Sequence, residues 1–405
     1  MNSKQTERFS GGSMLTEKRI LELAREDEAY IQTVFRWLHQ HPEVAHKEQQ
    51  TNQYLRQELD KMGVFYLAPK DNITIAVIDS GKEGNTIGLR CDTDALPVQE
   101  DTGLSYASQY DGVMHACGHD AHMVMGIGAA KILNEHKEEW CGKVKIIFQP
   151  AEEGEDGSDQ VIATGLVDDV DCFFAIHVWS PYKTGELHVS PITVSAAVNM
   201  FTIRIIGKGG HGAAPQECAD AIVAASSFVN SVQSVVSRTV SPMESAVVTI
   251  GSFHAGTVGN VIAQEAVLQG TTRTLNEETR QKVSDALRAY AEHTAQMYGC
   301  KAEVIDIRVS DAVQNDVKAT EIARKCAMEL VPSELIGNQR TMMLGDNFAN
   351  FGVIAPYCYV QVGIADEEKQ TNYAHHNGIF KVDEDVLPLC VAWMTSFAVR
   401  SAVEI

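Results

Sequence analysis

The stretch 114–122 combines side chains that bind divalent metal ions. It contains one cysteine, three histidines and one aspartate, and thiolate and neutral imidazole are the protein ligands that zinc and similar ions prefer. Cys117 and His119 are two positions apart, so in a regular helix they would point away from each other. They can share an ion only where the backbone is not helical. Apolar residues at helical spacing follow over 124–135, which predicts a loop that leads into a helix. A helix cap without a metal is the alternative.

Two adjacent carboxylates further along the chain could take part in the same chemistry. Glu152 and Glu153 follow a predicted buried strand, where their mutual repulsion and lost hydration favour a nearby cation. One of them could ligate an ion while the other removes a proton from ion-bound water. A solvated acidic loop is the alternative, because acidic residues also stand at 155, 156 and 159.

Later histidines extend this set of candidate ligands. His177 ends a predicted apolar strand, and His375 and His376 lie near the C-terminus. Each of them alone could be a packed histidine. Together with Cys117, His119 and Glu153, His177 and one of the two final histidines supply enough ligands for two ions, so the joint occurrence favours a metal site. The histidines at 39 and 41 are expected to be polar packing instead.

Composition excludes several other functions. The 405 residues include 54 acidic and 33 basic ones, and the formal net charge of −21 argues against nucleic acid or an anionic membrane as a partner. No apolar run approaches the roughly 18 residues of a membrane span. Residues 1–13 lack the apolar centre of a signal peptide, so we expect an appended leader, with the native chain starting at Met14. Nine cysteines without a Cys-x-x-Cys pair fit a reducing cytoplasm.

The elements that position these side chains follow two patterns. Residues 15–62 predict two helices, and predicted strands at 73–78, 86–90, 143–149 and 172–176 alternate with helices, which indicates a largely parallel sheet flanked by helices. Asp92 and Asp94 follow the second strand, at the edge where open α/β sheets place their sites. From 191 to 308 the order becomes βαββαβ, a compact unit of its own. We therefore predict an α/β domain with a mixed sheet and helices on both faces (14–190 and 309–405) and an inserted α+β domain (191–308).

Six short motifs carry a family resemblance. They are Leu-His-Gln-His-Pro-Glu at 38–43, Leu-Arg-Cys-Asp-Thr-Asp-Ala-Leu-Pro at 89–97, His-Ala-Cys-Gly-His-Asp at 115–120, Phe-Gln-Pro-Ala-Glu-Glu-Gly at 148–154, Gly-His-Gly-Ala-Ala-Pro at 210–215 and Asn-Val-Ile at 260–262. Because of the number and order of these motifs, the chain resembles, over nearly its whole length, the di-metal amidohydrolases and exopeptidases related to aminoacylase and glutamate carboxypeptidase. Within them it resembles the N-acyl-amino-acid amidohydrolases, such as hippurate hydrolase, N-acetyl-diaminopimelate deacetylase and the auxin-conjugate hydrolases.

The resemblance implies a metal site and its catalytic residue. The set that would hold two divalent ions per subunit (zinc, manganese or cobalt) is Cys117, His119, Glu153, His177 and His376. Cys117 would bridge the two ions, and Glu152 would be the general acid/base. His376, not His375, matches the family ligand. Two places depart from the family pattern: Asp346-Asn347 stands where Glu-Asp is usual, and Gly378 stands where proline is usual.

The resemblance also implies an assembly. The inserted domain would be a lid that forms a homodimer. Its His211 would take part in catalysis, often across the dimer, by contacting the amide oxygen or carboxylate of the substrate. Asn260 and Arg273 would bind the substrate.

The implied reaction is hydrolysis of the amide bond of N-acyl amino acids, with an acetyl, benzoyl or similar acyl group, by metal-activated water. A metal-dependent dipeptidase or carboxypeptidase would share every catalytic residue and is the alternative. A structural metal site in a non-catalytic dimeric binding protein is disfavoured, because a closed site needs no second glutamate beside a ligating one. The expected partners are the small substrate and a second copy of the chain, with no nucleic acid and no membrane, in the cytoplasm.

Overall fold

The computed structural model describes residues 15–154 and 156–405. The predicted leader at 1–13 lies outside these residues. The described chain divides into two compact units: unit 1 comprises the residues up to Ile192 with Asn315–Arg340 and Asn350–Ile405, and unit 2 comprises Thr193–Gln314 and Thr341–Ala349. The sequence prediction left 341–349 with the first domain. In the structure, backbone hydrogen bonds join this segment to unit 2, from Ala196 N to Leu344 O and from Met342 N to Val194 O.

Sixteen strands and nine α-helices lie in the described part of the chain. The strands are β1 (Phe65–Lys70), β2 (Ile73–Asp79), β3 (Thr86–Asp92), β4 (Lys143–Gln149), β5 (Cys172–Lys183), β6 (Leu187–His188), β7 (Thr193–Ser195), β8 (Ala197–Ile206), β9 (Gly210–His211), β10 (Ala246–Ala255), β11 (Val261–Ile262), β12 (Glu265–Thr274), β13 (Lys301–Ser310), β14 (Val313–Gln314), β15 (Ile336–Gly337) and β16 (Tyr357–Ala365). The helices are α1 (Glu17–Glu26), α2 (Glu28–Gln40), α3 (Gln49–Lys61), α4 (His119–Glu135), α5 (Gly157–Ile162), α6 (Ala221–Ser231), α7 (Glu277–Met297), α8 (Val317–Leu330) and α9 (Leu387–Glu404).

Unit 1 is built on an eight-stranded mixed sheet with the order β1-β2-β4-β3-β5-β16-β6-β15. Its centre, from β4 through β3 and β5 to β16, is parallel, whereas β1, β2 and β6 pair antiparallel with their inner neighbours. Buried parallel strands need crossover helices that cover the sheet, and α4 and α9 pack against the central strands. The predicted α/β fold with a mixed sheet is confirmed.

Helix α9 corrects one expectation from the sequence. The segment Glu384–Glu404 is long and apolar enough to span a membrane, with a mean hydropathy of 1.5 over its 18-residue window, although no such run was expected. Scattered polar residues such as Thr395 and Ser396 make the run look shorter in the sequence. In the structure 83% of that window is buried, and α9 packs against α1, α4 and α8. Its apolar composition is therefore that of a helix at the centre of a core.

Several elements of unit 1 differ from the sequence prediction in extent. Residues 15–62 form three helices rather than two, because the chain turns at Asp27 between α1 and α2. Strand β1 was not predicted, since its side chains are mostly exposed and show no apolar run. Strand β5 does not end at His177, as was predicted, but continues to Lys183, because its ladder with β16 persists past the His177–Gln361 pair.

Unit 2 contains an antiparallel sheet with the order β10-β12-β8-β13. Helices α6 and α7 cover one face, where alternate side chains such as Phe201 and Leu268 pack against Phe228 and Leu287. The chain order β8-α6-β10-β12-α7-β13 is the predicted βαββαβ. Two short ribbons complete the unit, β9 with β11 and β7 with β14.

Candidate metal and catalytic site

The predicted metal ligands meet at the carboxyl ends of the central strands of unit 1. Strands β3 and β4 end in register, with Asp92 opposite Gln149, and the loop with Glu152 and Glu153 follows β4. His177 lies in the neighbouring strand β5. Parallel strands bring such positions to one edge of a sheet, so side chains far apart in the sequence lie close together.

The left-handed backbone conformation of Gly118 allows Cys117 and His119 to face the same site. Gly118 has a φ of 85° and is the residue before α4, whose first residue is His119. A Cβ at Gly118 would also lie 2.4 Å from Val178 Cγ2, so no side chain fits there. The predicted loop leading into a helix is therefore present, and the helix begins at His119, earlier than the apolar spacing indicated.

Two groups of donor atoms share the Cys117 sulfur. Within each group, the donor atoms all lie within 4.8 Å of one another; one is Cys117, His119 and His177, and the other is Cys117, Glu153 and His376. The Cys117 Sγ lies 3.6 Å from His177 Nε2. Glu153 Oε1 lies 3.0 Å from His376 Nε2, without the geometry of a hydrogen bond. A sulfur common to both groups could lie between two ions.

The histidine rings are oriented by their other nitrogens. His177 Nδ1 donates to Val178 O at 2.7 Å, and His119 Nδ1 donates to Asp94 O at 2.8 Å. Such contacts fix the tautomer, so that Nε2 remains for a metal. Among the described residues, no atom meets His119 Nε2 with hydrogen-bond geometry, although this atom is buried. Because an unsatisfied buried polar atom is costly, this orphaned nitrogen fits a site made for a cation.

The protonation states of His177 and Glu153 also fit a cation. Burial lowers the pKa of His177, with His122 acting in the same direction, so its imidazole is neutral. Burial raises the pKa of Glu153, but His376 and His119 outweigh it and hold the group as a carboxylate. Desolvation raises the pKa of the Cys117 thiol, so a thiolate there requires a bound cation. Thiolate, imidazole and carboxylate together are the donor set of zinc and similar ions.

A third group, Asp92, His119 and His122, also has its donor atoms within 4.8 Å, but the atoms of Asp92 and His122 are already engaged. His122 Nδ1 lies 2.5 Å from Asp92 Oδ1, and His122 Nε2 accepts from Val178 N at 3.1 Å. Arg90 donates to Asp92 Oδ2 at 2.6 Å. Although burial raises the pKa of Asp92, Arg90 and the histidines hold it well below its usual value. We interpret this cluster as an ionic support that orients His119, whose Nε2 is 3.6 Å from Asp92.

The carboxylate of Asp94 organises the loop of the two glutamates. Its Oδ1 accepts from Glu152 N at 3.0 Å and its Oδ2 accepts from Glu153 N at 2.9 Å. A carboxylate oxygen of Glu152 lies within 4.8 Å of a His119 nitrogen and a Glu153 oxygen. The loop is partly buried at both glutamates, unlike the solvated acidic loop that was the alternative. Glu152 thus lies beside the donor groups without being a member of either group that contains Cys117.

The structure separates the roles of the two C-terminal histidines. His375 stacks on Trp179 with ring centroids 4.8 Å apart, its Nε2 accepts from Ser180 N at 3.3 Å, and burial lowers its pKa to about 3. His376 has a φ of 61°, and its N donates to Ala116 O at 2.8 Å, which turns its ring toward Glu153. Of the two, His376 is the one whose ring joins a donor group.

The two departures from the family pattern have local explanations. At Gly378, a Cβ would lie 2.3 Å from Gln99 O, and Gly378 O accepts from Asp101 N at 2.7 Å. Glycine therefore lets this loop pack closely against 99–101 rather than loosening it. At the other departure, Asp346 Oδ1 accepts from Phe348 N at 2.8 Å and so stabilises a local turn.

The predicted substrate residues lie in unit 2. His211 in β9 is exposed and its Nδ1 accepts from Ala213 N at 3.0 Å. The ribbon of β9 and β11 pairs His211 with Val261, and Asn260 O accepts from Gly212 N at 2.9 Å. The structure thus brings His211 and Asn260 together. Arg273 in β12 is half-buried and donates to Thr272 O at 3.1 Å.

Residue-by-residue reasoning from the sequence missed several supporting residues. Asp94 was predicted to lie at the sheet edge where open α/β sheets place their sites, but no role was assigned to it. His122 was not assigned, although its spacing of three from His119 places both on one face of α4. His39, expected to be polar packing, lies 2.6 Å from Asp120, the residue after His119.

Comparisons with known proteins agree with this site. The sequence profile described as peptidase family M20/M25/M40 matches residues 88–400. Thermostable carboxypeptidase 1 of Saccharolobus solfataricus is 35% identical over 369 residues, which is 90% of this chain and 93% of that protein. N-acetylcysteine deacetylase of Bacillus subtilis is 36% identical over 364 residues, 89% of this chain and 94% of that protein.

A solved structure is similar over most of the chain. The Bacillus subtilis YXEP protein, a dinuclear metal binding peptidase from the M20 family, has a TM-score of 0.82 and 32% identity, and the match covers 94% of this chain and 100% of that one. The resemblance predicted from the motifs is therefore confirmed: the chain is a hydrolase that belongs to peptidase family M20/M25/M40.

Proposed function

We propose that the protein hydrolyses the amide bond of N-acyl amino acids and releases a carboxylic acid and a free amino acid. The observation that carries the proposal is the pair of donor groups that share Cys117, with the carboxylate of Glu152 beside them. The relative named N-acetylcysteine deacetylase supports an N-acyl amino acid as substrate. Family membership supports hydrolysis as the reaction.

Two divalent metal ions would be held by the two donor groups. His119 and His177 would bind one ion, Glu153 and His376 the other, and Cys117 would bridge them. The relative described as a dinuclear metal binding peptidase supports two ions, and the sulfur, nitrogen and carboxylate oxygen donors together support zinc, manganese or cobalt. When bound, such ions lower the pKa of water toward neutrality and polarise the amide carbonyl.

Glu152 would move the proton. Its carboxylate would accept a proton from the attacking water and then deliver it to the amine nitrogen of the leaving amino acid. Asp94 would hold Glu152 and Glu153 in place through their backbone amides. This division of work, with one glutamate binding and the next transferring protons, accounts for two adjacent carboxylates at a partly buried position.

Unit 2 would supply the substrate contacts. We propose that His211 stabilises the negative charge that develops on the amide oxygen, and that Asn260 and Arg273 bind the carboxylate of the substrate. We also propose a homodimer formed through unit 2, in the cytoplasm. The edge strand β13 supports a dimer, since Ile305 and Ile307 are 53% and 57% exposed there.

A carboxypeptidase is the second candidate, because a relative 35% identical is named as one. The two functions differ in substrate and not in catalytic residues. A panel of N-acetyl and N-benzoyl amino acids, free dipeptides and N-blocked dipeptides, each assayed with zinc, manganese and cobalt, separates them.

We expect turnover of N-acyl amino acids to exceed that of peptides, with about two ions per subunit by elemental analysis. A preference for peptides would replace the first candidate by the second. Absence of turnover with every metal and substrate, in protein shown to contain metal, would contradict both.

A further inference from the structure

A buried carboxylate lies under the loop of the two glutamates. Glu48 precedes helix α3 and has no exposed surface. Its Oε1 accepts from Ala151 N at 2.8 Å and from His46 N at 3.0 Å, and its Oε2 accepts from Asn72 Nδ2 at 3.3 Å. Burial raises the pKa of Glu48, with Asp94 acting in the same direction. Because burial of a carboxylate is unfavourable, we expect Glu48 to have a structural role.

The same oxygen holds two residues in unusual backbone conformations. Ala151 has a φ of 48° and His46 has a φ of 67°, a region that residues other than glycine seldom occupy. Such conformations persist only where surrounding contacts hold them, and they cluster at functional sites. Because Glu48 Oε1 accepts from the N–H groups of both, it joins the 43–48 loop to the loop that follows β4.

Two buried carboxylates bind three consecutive backbone amides, 151–153, in the loop of the two glutamates. Glu48 accepts from Ala151 N, and Asp94 accepts from Glu152 N and Glu153 N. The direction in which a side chain leaves the backbone is set by the peptide planes on either side of its Cα. Asp94 thus holds the two peptide planes on either side of the Glu152 Cα, and Glu48 holds the plane before them, between Pro150 and Ala151. Rotation of that preceding plane would displace the chain that leads into Glu152.

We propose that Glu48 is a positioning residue for the hydrolysis: its carboxylate holds the Ala151 peptide so that Glu152 is held where the proton is transferred. The proposal deepens the proposed function and rests on it in one respect, the role of Glu152. A displacement of about 1 Å at a reacting group can lower a rate by about 10²-fold. The reach of the Glu48 side chain, rather than its charge, is the property that matters.

Three variants separate the effect of the length of the Glu48 side chain from the effect of its charge. Glu48→Asp keeps the charge but withdraws the carboxylate by about 1.5 Å, one carbon–carbon bond, and Asp is a favoured residue at a helix N-cap, so the fold is retained. Glu48→Gln keeps the reach and an acceptor oxygen but removes the charge. Glu58→Asp is the matched control: Glu58 is buried in α3, the helix that Glu48 precedes, but it accepts from Tyr30 and Lys61, away from the loop of the two glutamates.

We expect Glu48→Asp to lower kcat by about 10- to 100-fold with little change in KM or metal content, and Glu48→Gln to restore most of kcat. Glu58→Asp should leave kcat unchanged. Hydrogen exchange at the Ala151 amide should speed up in Glu48→Asp only. The substrate is whichever amide or peptide the wild-type enzyme turns over best, so failure of the N-acyl proposal leaves the test valid.

Three results would overturn the proposal. One is normal kcat in Glu48→Asp, and another is a loss of kcat in Glu48→Gln as large as in Glu48→Asp. The third is an equal loss in Glu58→Asp, which would mark a general effect of destabilising α3. Unchanged exchange at Ala151 in Glu48→Asp would independently remove the hydrogen bond from the account.

Discussion

Raising the pH above neutrality should destabilise the protein through His39. Its Nδ1 lies 2.6 Å from Asp120 Oδ2 and its Nε2 lies 3.2 Å from Glu100 Oε1, and only 4% of its side chain is exposed. Burial opposes a charge on the imidazole, but hydrogen bonds to the two carboxylates outweigh it and raise the pKa of His39 to about 9 from the ordinary 6.5. At neutral pH the folded protein therefore holds an imidazolium there.

The size of the effect follows from the two pKa values. Because the pKa of His39 is higher in the folded state, its contribution to stability is complete below pH 6.5 and is lost as the pH rises through about 9. Between these values the folded protein binds one more proton than the unfolded chain, so the free energy of unfolding falls by about 1.4 kcal/mol per pH unit. The total loss is about 3 kcal/mol.

Urea unfolding of the wild type and of His39→Asn, between pH 6 and pH 10, measures the contribution of His39 to the free energy of unfolding. Asparagine keeps a donor toward Asp120 but cannot become charged, and the same metal concentration in both samples cancels the contributions that they share. The wild type should be the more stable at pH 6, and the difference should shrink by about 3 kcal/mol by pH 10. A difference that stays constant with pH would refute the charged imidazole.

The remaining predictions concern the proposed catalytic residues. Glu152→Gln should retain metal and lower kcat by about 10²- to 10⁴-fold, because the amide cannot accept a proton; near-normal turnover would exclude Glu152 as the base. Cys117 should be alkylated in metal-free protein at a pH high enough to ionise its thiol, whose pKa burial raises, and protected at the same pH when metal is bound; equal labelling in both states would remove it from the site. His211→Ala should keep metal and lower kcat by about 10²-fold. If His211 serves the partner subunit, mixing this variant with Glu152→Gln should restore activity, whereas confirmed subunit exchange without recovery would contradict action across a dimer.

The donor atoms could be predicted from the sequence because they belong to few residue types. Cys117 and His119 stand close together, Glu153 follows β4, and His177 was expected at the end of an apolar strand, where an α/β sheet places its site. The choice of His376 over His375 came from the family resemblance. The fold class could be predicted for a similar reason, since buried strands alternate with helices in the sequence.

The supports of the site could not be predicted in the same way. Asp94 and Glu48 act on backbone N–H groups, which every residue except proline has, so the partner leaves no trace in the sequence. Glu48 binds the amide of Ala151, whose φ is positive, and an alanine in the sequence gives no sign of that conformation. Strand β5 extended past His177 for a comparable reason: its length is set by the ladder with β16, which is formed by residues far along the chain.

The packing of α9 in unit 1 has a consequence for folding of the protein during translation. Unit 2 draws most of its residues from one continuous segment, Thr193–Gln314, so its antiparallel sheet can assemble while later residues are still being translated. Unit 1 cannot be completed before α9 has been synthesised, because α9 packs against α1, α4 and α8, and Arg400 in α9 pairs with Glu17 in α1. Until then the apolar surface that packs against α9 is uncovered, so the nascent chain is exposed to aggregation and to chaperones until α9 has emerged.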